Sequence, residues 1–178
     1  VLDEPTVGLH PRDTGRLVDA MRRLRHRGNT LVVVEHEESV MRAADYLIDM
    51  GPGSGAAGGK LVYSGEPEGI SGIDESVTGA YLSGRQSIPI PEKRLKPARW
   101  LRIRGASCNN LNGLDVDVPL GVYTCLTGVS GSGKTTLAHD VIYLNNCRYR
   151  GESTEERPGC VRSIDGWQHL SQAVMVDQ

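Results

Sequence analysis

Residues 128–137 read GVSGSGKTTL, and Gly128, Val129, Ser130, Gly131, Ser132, Gly133, Lys134 and Thr135 satisfy the pattern G-x-x-x-x-G-K-[ST]. These residue types suit the holding of a polyphosphate. The glycines let successive backbone N–H groups close around phosphate oxygens, and a helix beginning near Lys134 turns the positive end of its dipole towards them. Lys134 adds a point charge at the β- and γ-phosphates, and the Thr135 hydroxyl is a ligand for Mg²⁺. The motif sits inside VYTCLTGVSGSGKTTLAHDVI, which predicts strand, glycine-rich loop and helix in succession. That context favours a nucleotide site in an α/β protein over a chance Gly/Ser loop.

A second stretch with chemistry in it lies at the other end of the chain. VLDEPTVGLH, residues 1–10, looks like the end of a buried strand with Asp3 and Glu4 at its carboxyl tip, where α/β sheets place their ligands. Two adjacent carboxylates can divide labour: Asp3 holds Mg²⁺, directly or through water, and Glu4 orients and deprotonates an attacking water. An ordinary acidic turn before Pro5 is the competing reading. Within one P-loop ATPase domain the phosphate cradle precedes the metal-and-base strand, so the order here is reversed.

The residues after Glu4 bear on that choice. From Asp13 to Arg27, Leu17, Val18, Met21 and Leu24 recur at helical spacing with Arg22, Arg23 and Arg25 outward, and Gly28 and Asn29 end the helix. TLVVVEH (30–36) is then a β-branched run suited to a parallel sheet buried on both faces, and it brings Glu35 and His36 to the same edge as Asp3. His36 there can donate to a terminal phosphate, or be a satisfied edge residue. A helix over Glu38–Asp45, the strand YLIDM, a glycine-rich turn (GPGSGAAGG) and the strand KLVYSG complete a first unit. The glycine-rich turn lacks the Lys-Ser/Thr that completes a phosphate loop.

Three prolines, Pro89, Pro91 and Pro97, make residues 85–97 an extended linker between residues 1–84 and 98–178. Charge changes at the same place. Residues 1–84 carry 8 basic against 13 acidic residues, 85–104 carry 7 against 1, and 105–178 carry 5 against 8. The basic run can solvate a linker or meet nucleic-acid phosphates; with Trp100 its one aromatic residue, the linker is the retained reading. After it, RWLRIRGA and LDVDVPL alternate as half-exposed antiparallel strands. QAVMVDQ closes the sequence with a predicted strand over 173–176 and Gln178 at its carboxyl end, where an amide oxygen can meet Mg²⁺ and the amide nitrogen a water.

The remaining composition excludes several classes. The 178 residues, 38% apolar, contain no apolar run near the roughly 20 residues of a membrane span and no leader pattern. This predicts a soluble, cytoplasmic chain with no membrane partner, and the missing initial Met predicts truncation at the front. Cys108, Cys125, Cys147 and Cys160 never form C-x-x-C, which points to reduced thiols and no zinc site here.

LDEPTVGLH, GNTLVVVEHEE, ADYLIDMGPGSGAAGG, NNL and TGVSGSGKTTL together resemble the UvrA family, the ATPase subunits of the bacterial excinuclease ABC. The resemblance covers nearly the whole chain. It implies the end of one ABC ATPase domain followed by the start of a second, which answers the reversed order. Asp3 and Glu4 then match the Walker B pair of the first domain, Gly8–His10 its D-loop and His36 its switch histidine. Gly128–Thr136, including Ser130, Ser132 and Thr136, match the second domain's Walker A motif, and Gln178 its Q-loop.

The resemblance further implies a DNA-damage-recognition ATPase of nucleotide excision repair that binds and hydrolyses ATP with Mg²⁺. It implies damaged duplex DNA and UvrB as partners, and a homodimer of the parent protein. No LSGGE-type signature occurs, and YLSGRQ at 81–86 is a partial echo on the wrong side of Walker B. The family's zinc-binding C-x-x-C pairs and UvrB-binding insertion are absent too. The isolated chain is expected to bind ATP weakly and hydrolyse it negligibly, as a nucleotide-binding module without turnover. A UvrA-like relative used in antibiotic self-resistance shares every motif quoted. A transporter ATPase fits less well, and a circularly permuted GTPase lacks its N-K-x-D motif. A last alternative folds the two halves into one permuted ATPase domain with Glu4 and Lys134 in one site.

Overall fold

A computed structural model gives the chain's architecture and describes every residue except Ser54, Ala56, Ala57, Asp177 and Gln178. Helices and sheets are mixed, and the chain divides into two units, Val1–Pro91 and Glu92–Gln178.

In the first unit, β1 (Leu2–Asp3) pairs in parallel with β2 (Val33–Val34), Leu2 opposite Val33 and Asp3 opposite Val34. Between them runs α1 (Pro11–His26), two residues longer at its start than the apolar period suggests. Pro11 suits the first helical position, where no intrahelical N–H is needed, and the His10 side chain accepts the free N–H of Arg12 at 3.2 Å. The helix buries Thr14 and Val18. After α2 (Glu38–Ala43), β3 (Leu47–Gly51) and β4 (Lys60–Gly65) form an antiparallel hairpin. A 3₁₀ turn at Pro67–Gly72 buries Ile70 completely, and α3 (Val77–Leu82) follows, capped by Ser76. Asp49 on β3 accepts the hydroxyls of Ser76 at 2.6 Å and Thr78 at 2.9 Å, which pins the start of α3 to the hairpin.

The second unit is built on β5 (Arg99–Ala106), flanked by antiparallel β6 (Leu114–Leu120) and β7 (Ser163–Asp165). Alternation sends Leu101 and Ile103 to the core and leaves Arg102 exposed. At Gly105 the register shifts and φ reaches +66°, a left-handed bulge that returns Ala106 to the core side. Against this face pack Leu137 and Val141 of a π-helical stretch, Thr136–Tyr143, which continues as α4 (Leu144–Arg150). The wider winding, seen in Leu144 N–H to His139 C=O, loosens the carbonyl ladder. The Asn145 side chain uses that slack: it donates to Val141 C=O at 2.9 Å and to Gly159 C=O at 3.1 Å, tying the 159 region to the helix.

Three predicted strands are corrected. Residues 30–36 form a strand only at Val33–Val34, and Val32 and Val34 are exposed rather than buried on both faces. Residues 122–127 are irregular, with Tyr123 96% exposed, and 173–176 are irregular with Val174 and Val176 exposed. The physical reason is shared. A strand exists through ladder bonds to a neighbour, and among the described residues β2 pairs only with β1 while the other two runs pair with nothing. The expected helix over 38–45 ends two residues early at Ala43. Gln178 lies outside the described residues.

Truncating Ile103, which is fully buried, to Ala is expected to destabilise the second unit by about 2–5 kcal/mol. Tyr123→Ala, at a nearly free side chain, should stay within about 0.5 kcal/mol. Chemical unfolding followed by the fluorescence of buried Trp167 measures both.

Candidate functional site

The predicted site residues fall into two groups, one in each unit. The first group gathers at the carboxyl edge of β1 and β2. Glu4 N–H donates to Val34 C=O at 2.9 Å, extending the parallel pair by one bond and setting Asp3 and Glu4 beside Glu35 and His36. Asp3, Glu4 and His36 are all exposed. The backbone at Glu4 is left-handed, φ +42°, an unfavourable state for a residue with a Cβ, so the chain turns sharply as it leaves the strand. Two further turns, Val7 N–H to Glu4 C=O at 3.1 Å and Leu9 N–H to Thr6 C=O at 2.9 Å, deliver His10 to the start of α1.

Glu35 braces this edge, a role the sequence did not disclose. One carboxylate oxygen accepts the Thr6 N–H at 2.9 Å and the Thr6 hydroxyl at 2.7 Å; the other accepts the N–H groups of His36 at 3.1 Å and Glu37 at 3.2 Å. Burial pushes the Glu35 carboxyl up, but the Thr6 hydroxyl and N–H, with the Glu37 and His36 N–H groups, outweigh it and hold the pKa below its usual 4.5. The bracket joins the turn after Glu4 to the turn that carries His36. The signal available in sequence was a carboxylate followed by two free N–H groups, too common to single out.

The second group is the loop 128–135. Its glycines take positive φ values of +149° at Gly128, +74° at Gly131 and +94° at Gly133, conformations that glycine adopts without strain. Lys134 folds its ammonium back onto the loop, donating to Gly128 C=O at 2.9 Å and Val129 C=O at 2.8 Å. Helix begins at Lys134, and Leu137 N–H to Gly133 C=O at 2.9 Å closes an early turn. Thr135 is exposed at this start, and the Thr136 hydroxyl accepts from Asn109 Nδ2 at 3.3 Å. At Gly133 a Cβ would stand 2.8 Å from Asn110 Oδ1 and 2.9 Å from Leu111 Cδ2, so a larger residue there would collide with the turn that joins β5 to β6.

These residues fit a polyphosphate and Mg²⁺: a glycine loop, one ammonium, an exposed hydroxyl and a helix start converge. All four cysteines are free; Cys108 lies near Cys160, and among the described residues no metal-type cluster of three includes a cysteine. Among the described residues, His139, Asp140 and Glu156 have ligand-type atoms within 4.8 Å of one another. They are engaged as pairs, His139 with Asp140 at 2.8 Å and with Glu156 at 3.8 Å. Among the described residues, no helix is long and apolar enough to cross a membrane.

No family profile matches the chain, whereas individual relatives match it from end to end. The chain is 50% identical over 179 aligned residues to UvrABC system protein A of Methanothermobacter thermautotrophicus, an alignment covering all of this chain and 18% of the relative. It is 47% identical to the protein of the same name from Aquifex aeolicus and 48% identical to that from Thermus thermophilus, covering 100% of this chain and 19% of each relative. Among solved structures, UvrA2 from Deinococcus radiodurans aligns with a TM-score of 0.82 and 44% identity over 92% of this chain and 19% of its own. The chain thus spans about a fifth of the length of the relatives it matches, and the resemblance carried by its motifs is borne out along its whole length.

The Glu35 bracket gives a pH prediction. Its folded pKa lies below 4.5, so its stabilisation is complete above that value and is lost as pH falls through the lower folded value. Glu35→Gln should therefore lower the thermal midpoint at pH 7, and the difference from the parent chain should close as pH drops well below 4.5. A difference independent of pH would mean that the carboxylate is not the brace.

Proposed function

From a chain related over its whole length to a segment of UvrABC system protein A, we propose a P-loop ATPase of the ABC type read across the junction of two nucleotide-binding domains. Residues 1–84 are the closing part of the first domain, 85–97 the linker, and 98–178 the opening part of the second. The observation that carries this reading is the loop 128–135, with three glycines at positive φ, a folded-back lysine and a helix that starts at the lysine. The division into two units at Pro91 and Glu92 supports the two-domain reading.

On this reading residues 128–136 bind the phosphates of ATP. Lys134 leaves the Gly128 and Val129 carbonyls and takes the β- and γ-phosphates, and Thr135 supplies a hydroxyl to Mg²⁺. Mg²⁺ held by Thr135 would supply positive charge against the phosphate oxygens. Asp3 and Glu4 serve a different nucleotide, as metal ligand and water-activating base of the first domain, with His36 set beside them to sense the terminal phosphate. Gln178 has the metal- and water-facing role at the second. The chain therefore holds half of each site and binds nucleotide without turning it over.

At the level of the whole protein, the reading is a cytoplasmic ATPase that couples nucleotide state to recognition of damaged DNA in nucleotide excision repair and to UvrB loading, acting as a homodimer. The names of the relatives support that reading. A UvrA-like ATPase of antibiotic self-resistance is the second reading, kept because the chain is also similar, at 44% identity, to a protein named UvrA2.

Titration with a fluorescent MgADP analogue tests the nucleotide site. Lys134→Ala removes a charge-assisted contact and should weaken binding by about tenfold or more, beyond any change in the folded fraction read by circular dichroism. Unchanged affinity in Lys134→Ala would remove the loop from the site.

A further inference from the structure

We infer that the Cys108–Asn112 turn is a positioning clamp for the phosphate loop, Asn110 holding the middle of the loop and Asn109 the helix that leaves it. The inference rests on the nucleotide reading of residues 128–135. The turn joins β5 to β6 and is closed by Leu111 N–H to Cys108 C=O at 2.8 Å, while the Leu111 side chain packs against the core. From this anchored base two amides reach across. Asn110 Nδ2 donates to Gly131 C=O at 2.8 Å, and Asn109 Nδ2 donates to Asp140 Oδ2 at 3.0 Å and to the Thr136 hydroxyl at 3.3 Å. Asn109 holds φ +47°, a left-handed state asparagine tolerates better than most residues.

The geometry explains why the loop needs such support. Residues 122–127, which enter it, pair with no strand among the described residues, so no sheet fixes the loop from that side. Its far end is fixed by Leu137 and Val141 in the core. The middle is left to the turn. Holding the Gly131 carbonyl from outside disfavours a swing of its oxygen towards a bound phosphate, where its partial negative charge would oppose that of the phosphate. Contact with Gly133, where a Cβ would stand 2.8 Å from Asn110 Oδ1, places the same turn against the second glycine of the cradle. The ligand it serves is the pyrophosphate moiety of a nucleoside di- or triphosphate, not the base.

The test uses the full chain and two probes, MgADP and magnesium pyrophosphate, by titration calorimetry. Asn110→Ala and Asn109→Gly, the latter keeping the left-handed backbone available, should each weaken both probes by about two- to tenfold. Asn112→Ala, in the same turn but with no hydrogen bond to the loop among the described residues, should leave both unchanged. Loss for MgADP alone would make the turn a base contact and overturn the clamp. So would unchanged affinity in Asn110→Ala alongside loss in Lys134→Ala. Affinity lost only in step with the folded fraction, read by circular dichroism in the same buffer, would assign a merely structural role and overturn it as well. No binding by the unsubstituted chain, or none lost in Lys134→Ala, overturns the nucleotide reading and the clamp with it.

Discussion

The second unit depends on the double pairing of β5. Held by β6 on one side and β7 on the other, this strand presents Leu101, Ile103 and Ala106 as one apolar face. Leu137 and Val141 lie on that face, and they belong to the helix that begins at Lys134. Burial of these side chains therefore fixes where the helix that follows the loop lies. Each fully buried aliphatic side chain supplies roughly 1.5–3 kcal/mol, against about 1 kcal/mol for each exposed hydrogen bond at the loop. Packing sets where the helix lies, and polar contacts set the finer shape of the loop.

The carboxylate edge is organised by a different force. β1 and β2 contribute only two residues each, and their side chains bury little, so packing alone cannot hold Asp3, Glu4 and His36 in register. The four hydrogen bonds accepted by Glu35 hold them instead, joining the two turns that leave the strands. Glu35 adds a third carboxylate to the edge that carries Asp3 and Glu4, so this edge is negatively charged. At the loop the sign is opposite: Lys134 and a helix start favour the anion. The two groups have complementary chemistry and lie in different units.

Much of this was legible in residue order. The glycine pattern of 128–135 announced its own backbone, because only glycine adopts those φ values without strain, and the alternation in 99–106 and 114–120 marked the hairpin directly. The 13–27 period found α1 but missed the proline start that His10 caps, and it counted Leu24, which is exposed, on the apolar face. What sequence could not show depended on partners. Runs such as VYTCLT and AVMV have strand composition, yet a ladder needs a second strand, and none pairs with them among the described residues. Composition also hid the π-helical winding of 136–143, the Glu35 bracket and the reach of Asn109 and Asn110, since each is set by contacts 21 to 31 residues away or by local carbonyl geometry. The family was readable because several short motifs occur in one order along the chain, and the relatives match that order from end to end.

If this chain carries half of each of two nucleotide sites, it binds nucleotide at the loop and has no base there to turn it over. Single-turnover release of phosphate from MgATP, with the chain in excess over nucleotide, tests this most directly. The expected result is no release above the rate in buffer, with ATP recovered intact after saturating the loop. Release that is abolished both by Glu4→Gln and by Lys134→Ala would contradict it, because it would mean that the two halves assemble a single working site.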